Sequence, residues 1–107
     1  MKLLECVKIF DMNPPSFKIS NTKKEIEHML IGVPIVLHNI GSVEDDFDLD
    51  NVIGYVESIV PSISNDEIYG NVFIFKDEVE IFGDFVNYHA YINSNHNITK
   101  ITAISIK

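Results

Sequence analysis

Short apolar stretches separated by polar turns make up most of this chain. Six of them have the length and the β-branched or aromatic composition of strands: residues 3–10, 34–38, 52–60, 68–75, 85–92 and 98–106. A seventh and shorter stretch, residues 79–82, has the same character. We therefore predict six or seven strands, with residues 52–60 and 68–75 forming an antiparallel pair around the polar turn at 61–66.

Alternation along residues 85–92 predicts which of its side chains reach the core. One face carries the more apolar set, which is Val86, Tyr88, Ala90 and Ile92. The opposite face carries Phe85, Asn87, His89 and Tyr91. Because successive strand side chains point to opposite faces, we expect the first set inside and the second set outside.

One segment has the pattern of a helix instead. Thr22 is followed three residues later by Glu25, which is the spacing of a capping box. Apolar residues then recur at helical intervals, at Ile26, Met29, Leu30 and Val33. Gly32 suits the C-terminal cap, so we predict a short helix at about residues 22–31.

These elements together predict the fold class. We expect residues 1–107 to form a single domain that is mainly β, of the α+β type. Its architecture would be a small antiparallel β-barrel or sandwich of six or seven strands with one short helix. Within it, we interpret Gly54 as the site of a β-bulge. We expect most aromatic side chains to pack inside, with an interface formed by exposed aromatics such as Tyr55, Tyr69, Phe47 and Tyr91 as the alternative.

Composition narrows the range of partners. The 107 residues carry a formal net charge of −8, with no arginine, one cysteine and no apolar run that approaches the roughly 20 residues of a membrane span. Direct binding to nucleic acid is disfavoured, because phosphate contacts need clustered Lys and Arg. A protein with a basic surface is the expected partner, homo-oligomerisation is left open, and the setting is cytoplasmic.

The acidic charge has a clear local maximum between residues 39 and 51. Five carboxylates fall within seven residues there: Glu44, Asp45, Asp46, Asp48 and Asp50. They repel one another unless a cation or a basic partner neutralises them, so this stretch is the candidate partner-binding site. A solvated loop with no ligand is the plainer interpretation of the same residues.

A calcium-binding site is another interpretation of this stretch. Asp46, Asp48, Asp50 and Glu57 reproduce part of the EF-hand loop pattern. Asn51 stands where that pattern has glycine, and the flanking residues are typical of strands and not of helices. We predict no cofactor and no other metal site.

His38 is the candidate catalytic residue, because it ends a buried strand at the start of the acidic stretch. A hydrolase would also need an activated nucleophile. Cys6 lies among apolar neighbours and is expected to be buried and inert. The serines are at positions 58, 62, 64, 94 and 105 among others, none in a G-x-S-x-G motif, so no triad can be assigned.

Three stretches resemble the N-terminal part of the prohead (head maturation) proteases of tailed phages. They are NPPSFKISNTKKEIEHMLIGVPIVLHN, NVIGYVESI and EIYGNVFIFKD, spread over residues 8–77. The resemblance implies the β-barrel of that serine protease family, with His38 at the position of the catalytic histidine. The region matching its nucleophile strand is FVNYHAYI, which has no serine, and the family normally continues beyond this chain. The resemblance therefore implies a shortened or inactivated relative.

Three functions follow from these observations. The favoured one is a non-catalytic, phage-derived binding or structural protein that contacts phage head or scaffold proteins, in the host cytoplasm or in the virion. The second is an acidic inhibitor of a nucleic-acid-binding host defence enzyme, similar to an anti-CRISPR protein, which mimics nucleic acid. The third is a small serine-type peptidase that uses His38, so the question of catalysis stays open, with a non-enzyme favoured.

Overall fold

Six strands and one helix form the protein in the computed structural model, which describes residues 2–14, 18–36, 52–76 and 87–105. In chain order the elements are β1 (Lys2–Asp11), α1 (Lys23–Leu30), β2 (Pro34–Val36), β3 (Val52–Val60), β4 (Glu67–Ile74), β5 (Asn87–Ile92) and β6 (Ile98–Ser105). The predicted mainly β fold with one short helix is confirmed. The seventh predicted strand, at 79–82, lies outside the described residues.

The strands form one sheet in the order β1-β4-β3-β2-β6-β5. Four of the five neighbouring pairs are antiparallel, including the predicted pairing of β3 with β4. The exception is β2 with β6, which run parallel, with Ile35 opposite Ile104 and Val36 opposite Ser105. The sheet is therefore mostly antiparallel, as predicted, with one parallel pair that the sequence did not indicate, because alternation within a strand carries no information on the direction of its neighbour.

Helix α1 begins at the predicted capping box. The Glu25 backbone N–H donates to Thr22 Oγ1 over 3.2 Å, and the Thr22 N–H donates to Glu25 Oε1 over 2.8 Å. Ile26 and Leu30 are fully buried against the sheet. Beyond the helix, Gly32 has a φ of +81° and its N–H donates to the carbonyl oxygen of Val56 over 2.8 Å, which joins the helix end to β3.

The core brings together the two outermost strands of the sheet. The ring of Phe10 on β1 lies against the ring of Tyr88 on β5, with 4.5 Å between centroids. The sheet therefore curls so that side chains from β1 and β5 meet across the core. Within the described residues the sheet order ends at these two strands, so backbone pairing does not close it.

The burial pattern of β5 differs from the predicted one. His89 is buried with 4% of its surface exposed, and Ile92 is 44% exposed, the reverse of the prediction. The register between β5 and β6 shifts at His89, because Thr102 is an extra residue on β6. The Thr102 hydroxyl donates to the His89 carbonyl oxygen over 3.1 Å. A bulge increases the local twist of the pair, and at this point two successive residues of β5, His89 and Ala90, are both buried, so strict alternation does not hold along the strand.

Tyr88 gives a prediction for alkaline unfolding. Burial, with a smaller effect from the nearby Asp11 carboxylate, raises the pKa of Tyr88 to about 12, above the value of about 10 for an unfolded chain. The folded state thus favours the neutral phenol, and this contribution is present below pH 10 and lost as the pH rises through 12. Between pH 10 and 12, the free energy of unfolding should fall more steeply in the wild type than in Tyr88→Phe.

Urea unfolding at several pH values measures this difference. The contribution of the lysines to the pH dependence cancels in the comparison, because both proteins contain the same lysines. Tyr91→Phe is the control, since Tyr91 is 45% exposed on the same strand. Its pH profile should follow the wild type. A Tyr88→Phe profile that also follows the wild type would contradict the assignment.

Candidate functional site

The predicted site residues lie almost entirely in one connection of the chain. His38, Glu44, Asp45, Asp46, Asp48 and Asp50 fall between β2 and β3, outside the described residues. Glu57 is the one described member of the calcium set, and its side chain is exposed and accepts a hydrogen bond from the Ser58 hydroxyl. Within the described ranges, His, Cys, Asp and Glu side chains form no group of three that could hold a metal ion.

Charge is distributed very unevenly along the chain. The described residues carry seven lysines and seven acidic residues, so their formal charges cancel. The other nine acidic residues and one lysine account for the whole net charge of −8. Five of these nine acids are in residues 37–51, and four, Asp77, Glu78, Glu80 and Asp84, are in residues 77–86. The described framework is therefore neutral, and two connections carry the acidic charge.

Both acidic connections are attached at the same end of the sheet. Residues 37–51 link Val36 to Val52, which are paired with each other across β2 and β3. Residues 77–86 lead from the end of β4 into Asn87, which pairs with Ser105, and Ser105 pairs with Val36. We call the sheet end marked by Val36, Val52, Ile74, Asn87 and Ser105 the acidic end. The β3–β4 and β5–β6 turns lie at the opposite end.

An exposed row of apolar side chains lies next to the acidic end, on the outer face of β1, β4 and β3. Leu3 pairs with Phe73, and Phe73 pairs with Tyr55, so the three side chains share one face. The rings of Tyr55 and Phe73 are 5.6 Å apart between centroids. Phe75 follows two residues after Phe73. We call Leu3, Phe73, Tyr55 and Phe75 the apolar row.

The sequence indicated possible exposure for one member of this row, Tyr55, and for none of the others. Leu3 is 41% exposed, Tyr55 38% and Phe75 40%, while Phe73 is partly exposed. The expectation that aromatic side chains pack inside does not hold for Tyr55, Phe75 and Tyr91, and for Tyr55 and Tyr91 the alternative of an exposed position is the one that the structure shows. Alternation alone could have indicated that Tyr55 and Phe73 face outward, but only the strand pairing shows that they are neighbours.

Polar side chains cross the same face in the middle of the sheet. The Cys6 backbone N–H donates to Asn71 Oδ1 over 3.0 Å, and Asn71 Nδ2 donates to Ser58 Oγ over 3.1 Å. Cys6 is exposed and has a φ of +55°, at a register shift between Leu4 and Val7. The prediction of a buried Cys6 is therefore wrong, because this bulge turns the residue outward.

A shallow groove of about 370 Å³ lies beyond this polar strip, at the end of the sheet opposite the acidic end. Its lining residues are Cys6, Val60, Pro61, Ser62, Ile63 and Tyr69. The Lys23 ammonium group donates to the carbonyl oxygens of Ser62 and Ser64, which holds the β3–β4 turn against the helix.

Three of the described serines, Ser62, Ser64 and Ser105, lie in surroundings that do not suit a nucleophile. Ser62 Oγ and Ser64 Oγ accept hydrogen bonds from backbone N–H groups of the β3–β4 turn. Ser105 Oγ is fully buried, with no hydrogen-bond partner among the residues that the structure describes. A nucleophile must reach its substrate, so this hydroxyl is poorly placed for that role.

Comparisons with models of protein families, with curated proteins and with solved structures found no match for this chain. The resemblance to the prohead proteases therefore stays a prediction from the sequence. Among the described helices, α1 included, none has the length and apolar character needed to cross a membrane.

Proposed function

We propose that this protein is a non-catalytic binding protein that docks on a basic surface of another protein through its acidic end. The observation that carries the proposal is the segregation of charge: the described framework is neutral, and nine carboxylates belong to two connections attached at one end of the sheet. A neutral body with a concentrated negative end orients itself in the field of a basic partner and associates faster at low salt.

Two classes of partner suit this surface. One is a host defence enzyme whose basic groove normally holds nucleic acid, which a row of carboxylates can occupy in place of phosphates. The other is a phage head or scaffold protein, which the resemblance to prohead proteases suggests. Both require the same carboxylates, and identifying the bound protein separates them.

Neutralising four acids tests the proposal. In Asp45→Asn/Asp46→Asn/Asp48→Asn/Asp50→Asn, we expect the Kd for the basic partner to rise at least roughly fourfold, since four exposed ion pairs are worth about 0.2–1 kcal/mol each. We also expect a weaker dependence of Kd on salt. The partner is first isolated from host lysate on the immobilised protein, by retention in 50 mM salt and release in 500 mM salt, where the Debye length is about 14 Å and 4 Å.

A matched variant controls for net charge. Asp11→Asn/Glu27→Gln/Asp66→Asn/Glu67→Gln removes the same four charges from the neutral framework, from helix α1 and from the end of the sheet opposite the acidic end. It should bind nearly as well as the wild type. Equal binding by both quadruple variants, or retention of proteins that are not basic, would contradict the proposal.

A further inference from the structure

We propose that the apolar row, Leu3, Phe73, Tyr55 and Phe75, is the centre of the docking interface and that the basic partner covers it. This inference rests on the proposed function and adds where on the framework the partner sits. Three of the four side chains are about 40% exposed: Leu3 on β1, Tyr55 on β3, and Phe75 directly after the end of β4. Contiguous exposed aromatic and aliphatic side chains are characteristic of interfaces.

The position of the row beside the acidic end supports this assignment. Tyr55 and Phe73 occupy the register position next to the pair formed by Gly54 and Ile74, from which the chain runs into the acidic connections. The apolar row thus lies next to the sheet end at which the chain enters and leaves the two acidic connections. Protein interfaces have this anatomy, with an apolar core that supplies most of the affinity and a polar rim that supplies specificity and speed.

Charge decides between a basic partner and a second copy of this chain. Two copies that met through this face would bring together two acidic ends, each with nine carboxylates on its connections. A basic surface neutralises the same groups. Its arginines have the additional property of stacking on aromatic rings, and Tyr55 and Phe73 present such rings beside the acidic end of the sheet. The chemistry therefore favours a folded protein with arginine around an apolar centre.

Photo-crosslinking locates the interface directly. A benzoylphenylalanine replaces Tyr55 in one variant, Phe75 in a second and Tyr91 in a third, and each variant is irradiated in host lysate at 50 mM salt. Tyr91 is the control because it is an equally exposed aromatic residue on β5. We expect positions 55 and 75 to crosslink to one and the same basic protein, and position 91 to give no such product. Crosslinks to a second copy or to an acidic protein would overturn the inference. So would a yield of crosslinked product at positions 55 and 75 no higher than the yield at position 91.

Substitution then measures the contribution of the row with the purified partner. Tyr55→Ser/Phe75→Ser should raise Kd at least roughly tenfold, with an unchanged salt dependence. Tyr91→Ser/Ile92→Ser removes two equally exposed apolar side chains from β5 and should leave Kd within about twofold. Circular dichroism and urea unfolding check that both variants are folded.

The outcomes separate this inference from the proposed function. If the quadruple aspartate variant has a raised Kd but Tyr55→Ser/Phe75→Ser has the same Kd as Tyr91→Ser/Ile92→Ser, the apolar row is not the interface and the proposed function stands. If the aspartate variant binds as the wild type does, the proposed function fails, whatever the apolar row contributes.

Discussion

Gly54→Ala is expected to destabilise the protein by about 3 kcal/mol or more, the largest effect of any single methyl group added to the described framework. Gly54 lies in the middle of the sheet, paired with Ile35 on one side and Ile74 on the other. A Cβ at this position would overlap the carbonyl oxygen of Phe73 and lie 3.0 Å from Cδ1 of Ile74. The overlapping atom belongs to the backbone of β4, so relief requires the two strands to separate.

Urea unfolding measures this effect, and Gly32→Ala is the comparison. A Cβ at Gly32 would meet no atom within 4 Å, so alanine there only has to adopt the φ of +81°. We expect a cost of about 1–2 kcal/mol for Gly32→Ala. Equal costs for the two variants, or a Gly54→Ala protein as stable as the wild type, would show that the close approach of β3 and β4 is wrong.

Local patterns predicted the elements well, because the order of apolar and polar residues within a strand or helix depends on which face of that element is buried. The sequence predicted strand β3 at residues 52–60 as the structure has it, and the capping box of α1 at Thr22 and Glu25. Gly54 is an example of what local patterns cannot predict, which is a contact with another strand. It was interpreted as a bulge, whereas register shifts occur on either side of it and Gly54 itself is needed for close packing. The atom that excludes a side chain there belongs to Phe73, in another strand.

The candidate site, too, could be predicted only in its local part. The carboxylates of residues 44–50 are visible in the sequence, since they are neighbours in the chain. That residues 77–86 add four more at the same end of the sheet depends on the pairing of Val36 with Val52 and of Asn87 with Ser105. Long-range pairing of this kind cannot be inferred from alternation.

Asn21 is a second residue whose role only the structure reveals. Its side chain is 9% exposed and bonds both backbone groups of Ile98, the first residue of β6. Asn21 Nδ2 donates to the Ile98 carbonyl oxygen over 3.0 Å, and the Ile98 N–H donates to Asn21 Oδ1 over 2.6 Å. The amide therefore acts as a short strand partner. Nearby, the Ser20 N–H donates to the His96 carbonyl oxygen over 2.9 Å, so the segment before α1 is fastened to the β5–β6 hairpin.

We expect Asn21→Ala to lower the free energy of unfolding by about 2–4 kcal/mol, because two hydrogen bonds are lost and both backbone groups lie at a residue that is only 1% exposed. Asn95→Ala, in the exposed β5–β6 turn, should change the free energy of unfolding by less than about 0.5 kcal/mol. Amide hydrogen exchange adds a local test, since the Ile98 amide should lose more protection than amides in β3 or β4. If Asn21→Ala is as stable as Asn95→Ala, then the segment before α1 does not hold β6, and the hairpin is held by the pairing of β6 with β2 alone.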